Sequence, residues 1–411
     1  MVVGAGLAGL RVVGALRESG FSGEISVLGS EGLAPYDRPP LTTELFTRQE
    51  PAWLADELGS DLFDLADHVE LATPARALAA VTTRKGLVRV DAADGSELFA
   101  DVVVIATGSH PRHPADWDAV TLHTAPDAAA LRERLTPGTR LVCIGAGWVG
   151  AEISAAASAA GCQVTLLEAA SAPLAHQLGP AVGELTRPWY AASGVDLHLG
   201  ARVTAVHPDR VHLADGRHVD ADIVLAAVGA QPTTSWLDSQ LALTARQAVA
   251  VDRAGTADGA AGGFAPRTVY AVGDCADRTT LRDGVVPGGH WAGALHDPGL
   301  VALDILGAPL PDDEPAPYTF SHQHGHELAL FGQPSPARQV VLRGDPAADG
   351  PWTALYVEPQ EGTTEAVLCA GLAVDAPRDV GALRRILGND RRVLDLDAAA
   401  DQSRPLRDAV A

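Results

Sequence analysis

The chain has little from which to build a redox or metal centre out of its own side chains. Its four cysteines, Cys143, Cys162, Cys275 and Cys369, stand far apart, with no C-x-x-C or C-x4-C pair among them. That spacing argues against a disulfide framework, a zinc site and a redox dithiol. Lysine is rarer still: Lys85 is alone, so any task usually given to lysine falls to another group or is lost. Positive charge is outweighed throughout, and a formal charge of −22 repels phosphate backbones, which argues against nucleic acid as a partner. No run of eighteen strongly apolar residues occurs, so no membrane span is expected. Met1 leads directly into a strand and a glycine, leaving no room for a signal peptide, and the expected location is cytoplasmic.

What is present reads as an ordinary globular composition, 47% hydrophobic and 20% charged, and 411 residues imply two or three domains. Val2 and Val3 open a strand, a glycine turn follows, and Leu7, Leu10, Val13 and Leu16 recur at helical spacing before a second strand, Ile25 to Leu28. This is a βαβ unit, with an opening strand short enough to suggest that further residues precede it. A second unit of the same kind begins at Leu141 to Ile144, turns through Gly145 to Gly150, and runs through an alanine-rich helix to Val164 to Leu167. The repeat is an internal duplication of nucleotide-binding folds.

Between and after these units come alternating β patterns closed by turns, Val88 to Phe99 around Asp94-Gly95 and Val203 to Val219 around Asp215-Gly216. Each leads to an apolar strand ending in glycine, Val102 to Gly108 and Ile223 to Gly229. Pro311 to Pro317 reads as a linker. Short strands follow at Phe320 to Phe331, Gln339 to Arg343, Trp352 to Val357 and Ala366 to Val374, then a helix near Asp379 to Leu387, and a mobile tail is expected after Asp397. The expected fold class is α/β: two Rossmann-like dinucleotide-binding domains, for FAD and NAD, plus a C-terminal α+β domain. The expected boundaries are 1–112 with 236–314 for the FAD domain, 113–235 for the NAD domain and 315–411 for the third.

The chemistry is carried by the turns. Gly4-Ala5-Gly6-Leu7-Ala8-Gly9 fits G-x-G-x-x-G between strand and helix, where glycines permit a tight turn and let backbone amides approach a pyrophosphate. Glu31, 22 residues after Gly9, is placed to accept hydrogen bonds from a ribose diol. Gly145-Ala146-Gly147-Trp148-Val149-Gly150 repeats the grammar, and Glu168 follows Gly150 by 18 residues. A carboxylate there bonds a ribose hydroxyl and repels a 2′-phosphate, so NAD is expected rather than NADP.

Further motifs carry a family likeness: Pro35-Tyr36-Asp37-Arg38-Pro39-Pro40-Leu41, Ala106-Thr107-Gly108-Ser109-His110-Pro111-Arg112, Glu152 after the second turn, Val228-Gly229-Ala230-Gln231-Pro232, Val272-Gly273-Asp274 and His290-Trp291. On these the chain, over essentially its whole length, resembles the oxygenase-coupled NADH:ferredoxin reductases, the group that includes putidaredoxin and rubredoxin reductases. The resemblance implies FAD contacts from Arg38, Pro39, Ala77, Thr107, Gly108, Arg112, Gly273, Asp274 (to the ribityl chain), His290, Trp291 and Ala292, and places Gly229 with the nicotinamide nucleotide. Glu152 would lie near the nicotinamide and flavin as a catalytic residue, although a plain helix-surface acid fits the sequence too. Residues 32 to 50 hold no cysteine, unlike relatives that need a thiolate beside the flavin. The mechanism implied is hydride transfer from nicotinamide to flavin, then single electrons to an iron–sulfur ferredoxin serving a P450 or other oxygenase. Monomer and homodimer both remain open.

Two departures stand out. The family continues Arg-Pro-Pro-Leu-Ser-Lys where this chain has Thr42-Thr43, and the usual Trp-Ser-Asp-Gln appears as Phe320-Ser321-His322-Gln323. Strand alternation would set His322, His324 and His326 on one face, as a surface ladder rather than a metal site, and His322 is a second catalytic candidate, as a proton donor or acceptor. An acidic ferredoxin needs a local basic patch; Arg384-Arg385 and Arg391-Arg392 are candidates, or else solvated charges at a helix end. The competing functions are an NADH oxidase or quinone reductase, and an FAD-binding partner protein that does not turn over.

Overall fold

A computed structural model describes residues 1–81, 86–237, 240–348, 350–390 and 392–411. Lys85 and Arg391 lie outside the described residues. The chain divides into two compact units: Met1–Asp37, Ala52–His110 and Gln231–Tyr318 form the first, and Arg38–Pro51, Pro111–Ala230 and Thr319–Ala411 the second.

The first unit is built on a five-stranded parallel sheet in the order Val269–Ala271, Val103–Ile105, Val2–Val3, Ser26–Leu28, His68–Glu70. Its central strands are apolar on both faces because both faces are covered, as parallel sheets require. On one face the helix Leu7–Glu18 buries Leu10, Val12, Val13 and Leu16 against Val301 and Ala302 of the helix Trp291–Ile305. On the other, Val3, Leu28 and Ile105 pack with Leu78, Val88 and Val90 of an antiparallel sheet, Ala75–Ala80, Val88–Ala92 and Glu97–Ala100. The hairpin expected around Asp94-Gly95 is the last two of these strands. The expected linker has no regular structure, yet it is pinned: Glu314 is buried and paired with Arg253 at 2.6 Å and Arg278 at 3.2 Å.

The second unit repeats the plan with a four-stranded parallel sheet, Asp196–Leu199, Gln163–Glu168, Arg140–Ile144, Ile223–Ala226. Beside it Val203–His207, Arg210–Leu213 and His218–Asp220 form an antiparallel sheet, so the segment read as one hairpin carries a second turn at Pro208-Asp209. The same unit holds, from Thr319 onward, a six-stranded sheet with path Tyr318–Gln323, His326–Gly332, Glu365–Val374, Trp352–Pro359, Gln339–Arg343, and with Val393–Asp395 paired to Glu365–Val374. The helix Pro377–Leu387 lies so close to this sheet that a Cβ on Gly371 would meet Leu383 Cδ2 at 2.4 Å.

Two expectations are corrected. The tail after Asp397 is packed: Leu406 and Ala409 are buried, and the buried Arg343 guanidinium donates to the carbonyls of Ala399, Asp401 and Arg404 while pairing with Asp379. The three histidines do not share a face of one strand, because His324 takes a left-handed turn conformation (φ 52°) between two strands. His322 is exposed on the edge strand, His324 bonds Ser193 Oγ at 2.6 Å, and His326 pairs with Asp375 at 2.7 Å. Among the described residues no group of three or more His, Cys, Asp or Glu is arranged to hold a metal ion.

Candidate functional site

In the first unit the turn Gly4–Gly9 is closed by contacts that leave no room for side chains. Gly4 has φ 119°, and a Cβ there would stand 2.0 Å from Ala106 O; one on Gly9 would stand 1.9 Å from Gly4 O. Gly6 is the opposite case, because nothing lies within 4 Å of where its Cβ would be. It precedes the helix Leu7–Glu18, whose first turn has neither a capping side chain nor an acid. Amides without intrahelical partners, at the positive end of the helix and beside open space, fit an anion such as a dinucleotide pyrophosphate.

The flanking candidates assemble around this turn. Glu31 accepts from Tyr36 Oη at 2.5 Å. Ala8 meets Gly273, where a Cβ would be 2.9 Å from Ala8 Cβ, so the strand end carrying Asp274 abuts the helix start. Asp274 accepts from Ser109 Oγ at 2.9 Å; Thr107 Oγ1 donates to Thr233 O at 2.7 Å, and Gly108 turns with φ 65°. His290 Nδ1 accepts from the Gly293 amide at 2.9 Å and caps the helix Trp291–Ile305. Burial holds its imidazole below the usual pKa, so it is neutral with its proton on Nε2. Trp291 Nε1 donates to Asp37 Oδ1 at 3.0 Å, and Ala292 is buried. Ala77 lies at a register shift in its antiparallel sheet, paired with Asp91.

The second unit repeats the geometry. Gly145 has φ 104°, with a would-be Cβ 2.4 Å from Ala227 O, and Gly150 would meet Gly145 O at 1.9 Å. Gly147 precedes a helix, Trp148–Ala159, that also lacks a capping side chain and a first-turn acid. Trp148 packs against the apolar cluster around Leu174 and Leu178, while Val149 is exposed. Glu168 ends the second strand and ties itself to the turn, its two oxygens accepting from the amides of Ala146 and Ala170 at 2.7 Å each. Each oxygen keeps a lone pair for a sugar hydroxyl. Gly229 (φ 99°) accepts through its carbonyl from the Arg112 amide at 2.9 Å, so these two candidates are neighbours.

Arg38 and Pro39 fall in the second unit. Arg38 Nη1 donates to His123 O at 2.5 Å, and Pro39 precedes the short helix Pro40–Thr43. Glu152 is 9% exposed, not a surface acid, and bonds Thr42 Oγ1 at 2.5 Å and Ser321 Oγ at 2.6 Å. Burial pushes its carboxyl above the ordinary range, against the pull of those two hydroxyls. His322 is not among its partners: Ser321 and Gln323 face inward and His322 outward. Sequence reasoning missed Thr42, Ser321, Gln323, Ser109 and Thr233; only the inward alternation of Phe320 to Gln323 could have pointed to two of them. Cys143, Cys162 and Cys275 are buried, and burial raises the Cys275 thiol next to Asp274.

Two parallel sheets, each delivering a glycine turn onto an uncapped helix with an acid at the next strand end, define a two-nucleotide oxidoreductase. Comparison with known proteins agrees. Residues 1–292 match the pyridine nucleotide-disulphide oxidoreductase model and residues 318–410 the reductase C-terminal model. The chain belongs to the pyridine nucleotide-disulphide oxidoreductase family, and it is a flavin-dependent oxidoreductase of FAD and NAD(H). It is 32% identical to the ferredoxin–NAD(+) reductase subunit of a benzene 1,2-dioxygenase system from Pseudomonas putida, over 100% of this chain and 97% of that one. It superimposes on the ferredoxin reductase for the CYP199A2 system from Rhodopseudomonas palustris with TM-score 0.84 and 26% identity, covering 100% of this chain and 99% of the other. It likewise matches a covalent putidaredoxin reductase–putidaredoxin complex, with TM-score 0.82 and 25% identity over 99% and 96%.

Proposed function

We propose that the chain is the NADH-dependent reductase of an oxygenase system, passing electrons to an iron–sulfur ferredoxin. The observation that carries this is the likeness, over the whole length, to ferredoxin–NAD(+) reductase components, one of which supplies a benzene dioxygenase. The cysteines support it: residues 32–50 hold none, and three of the four thiols are buried.

In this reading the first unit holds FAD, with Gly4, Gly6, Gly9 and the helix start at the pyrophosphate, Glu31 at the ribose and Asp274 at the ribityl chain. The second unit holds NADH, with Gly145, Gly147 and Gly150 at its pyrophosphate and Glu168 at its ribose. When bound, the flavin supplies the step from two-electron to one-electron chemistry, accepting a hydride and releasing single electrons. The chain's own residues bind and orient. Glu168 rejects a 2′-phosphate by charge, and His290, neutral and locked by the Gly293 amide, offers only an Nε2–H donor. No helix among the described residues is long and apolar enough to cross a membrane; the proposed place of action is the cytoplasm.

Anaerobic mixing of the FAD-loaded protein with NADH and, separately, NADPH tests the first half-reaction. Rapid loss of oxidised-flavin absorbance with NADH, and slow loss with NADPH, is expected. Absence of bleaching by either would sink the reading. Turnover with oxygen or a quinone as fast as with a ferredoxin would reassign the acceptor.

A further inference from the structure

Glu152 sits one turn inside the helix Trp148–Ala159, buried, and among the described residues its oxygens hydrogen-bond only to hydroxyls. No ion pair forms on it among the described residues, and no charged group there bears on its carboxyl. Of the charged neighbours in sequence, Arg38 turns to His123 O and His322 faces outward.

Counting protons shows which contacts each form keeps, and desolvation then separates the two. Each hydroxyl has one proton to give. Ser321 Oγ accepts from Gln323 Nε2 at 3.0 Å and so gives its own proton to Glu152 Oε1 at 2.6 Å. Thr42 Oγ1 has two acceptors in reach, Glu152 Oε2 at 2.5 Å and Pro39 O at 3.0 Å. If Glu152 is an anion, Thr42 gives its proton to the carboxylate, and Pro39 O keeps the Thr43 hydroxyl and the amides of Thr42 and Thr43 as donors. If Glu152 carries a proton, every contact has one donor: Gln323 N–H to Ser321, Ser321 O–H to Glu152 Oε1, Glu152 O–H to Thr42, and Thr42 O–H to Pro39 O. Among the described residues the anionic form has no cation to offset its desolvation, which two hydroxyl bonds do not replace.

We propose that Glu152 is held as a neutral carboxylic acid within a one-way hydrogen-bond chain from Gln323 to Pro39, with Thr42, Ser321 and Gln323 as its positioning residues. Resting on the reading that this helix begins at the nicotinamide nucleotide, the acid then adds no negative charge to that site and keeps one proton on the helix that opens from it.

The test is an infrared difference spectrum at pH 7 between the FAD-loaded protein and its Glu152→Gln variant, taken without pyridine nucleotide. Glutamine keeps one donor and one acceptor in the same places, so the variant retains the chain's shape. A protonated-acid carbonyl band, above the amide region and present only in the parent protein, is expected. It should be displaced both by Ser321→Ala, which removes the donor to Oε1, and by Thr42→Val, which removes the acceptor of the acid proton. A carboxylate band at pH 7 in place of the acid band, or an acid band indifferent to both substitutions, would overturn the proposal. Because no turnover is involved, a protein that failed to oxidise NADH would refute the proposed function and still answer this question.

Discussion

Replacing Gly150 by alanine asks whether the second glycine turn cradles the nicotinamide nucleotide. The new Cβ would stand 1.9 Å from Gly145 O and 3.0 Å from Gly145 C. A carbon tolerates an oxygen at roughly 3.3 Å, so the turn must open by about 1.4 Å. That displacement exceeds what a hydrogen bond to phosphate survives. Two lost amide bonds to a charged group, each worth about 1.5–3 kcal/mol, come to roughly 3–6 kcal/mol. The NADH dissociation constant should therefore rise about 10²- to 10⁴-fold. It is read from the NADH dependence of flavin bleaching, with the FAD content of the purified variant as control, since the turn at Gly9 is untouched. Gly147→Ala guards against misfolding: its backbone is extended (φ −80°, ψ −169°), and its Cβ would meet only the movable Gln177 Nε2 at 3.2 Å. That variant should fold, keep FAD and still lose NADH affinity. If Gly147→Ala folded and bound NADH within threefold of the parent, the nucleotide would not approach this turn, and the assignment would be wrong.

Glu168→Gln removes the anion while keeping its size, and should lower the NADH-over-NADPH ratio of kcat/KM by about tenfold, one charge being worth roughly 1–2 kcal/mol at a partly screened site; an unchanged ratio would remove Glu168 as the discriminator. Arg343→Met leaves Asp379 buried without its cation and frees the tail carbonyls, so unfolding in urea should lose about 3–5 kcal/mol. Adding Asp379→Asn should recover part of this, and a loss below about 1 kcal/mol would contradict the packed tail. His324 is pulled from 6.5 to about 4, first by burial and then by His326. Its folded pKa lies below the unfolded one, so the stability it contributes is full above pH 6.5 and is lost as pH falls from 6.5 toward 4. Thermal midpoints of the parent should drop across that window more steeply than those of His324→Gln; parallel curves would show that His324 does not titrate this way.

The two turns were legible because their chemistry is exclusive: a positive φ at Gly4 and Gly145, and would-be Cβ clashes at Gly9 and Gly150, leave glycine alone possible. The Asp94-Gly95 and Asp215-Gly216 hairpins were legible for the same local reason. The reading of a two-nucleotide reductase from these turns and the Arg-Pro-Pro-Leu element is borne out by the family and by relatives matched along the whole chain. What escaped depends on distance. Glu152 finds Thr42 at 110 residues' separation and Ser321 at 169, and no local pattern reports either. The tail was misread because its anchor, Arg343, lies more than fifty residues upstream of the carbonyls it holds. The histidine ladder failed on one dihedral, since a left-handed residue at His324 is unusual for a non-glycine and turns one supposed strand into two.

Each compact unit is assembled from three separate stretches of chain. Their order sets a schedule during synthesis. All four strands of the second parallel sheet have been made by Ala226, whereas the first sheet waits for its edge strand Val269–Ala271 and for the helix Trp291–Ile305 that covers one face. The first glycine turn is thus translated early and finished late, leaving the helix Leu7–Glu18 without the Val301 and Ala302 part of its apolar cover while nearly three hundred further residues are added. On the proposed assignment of FAD to this turn, flavin supply should matter most after the nascent chain has passed Ile305, and truncated or stalled chains ending before that point should fail to retain it.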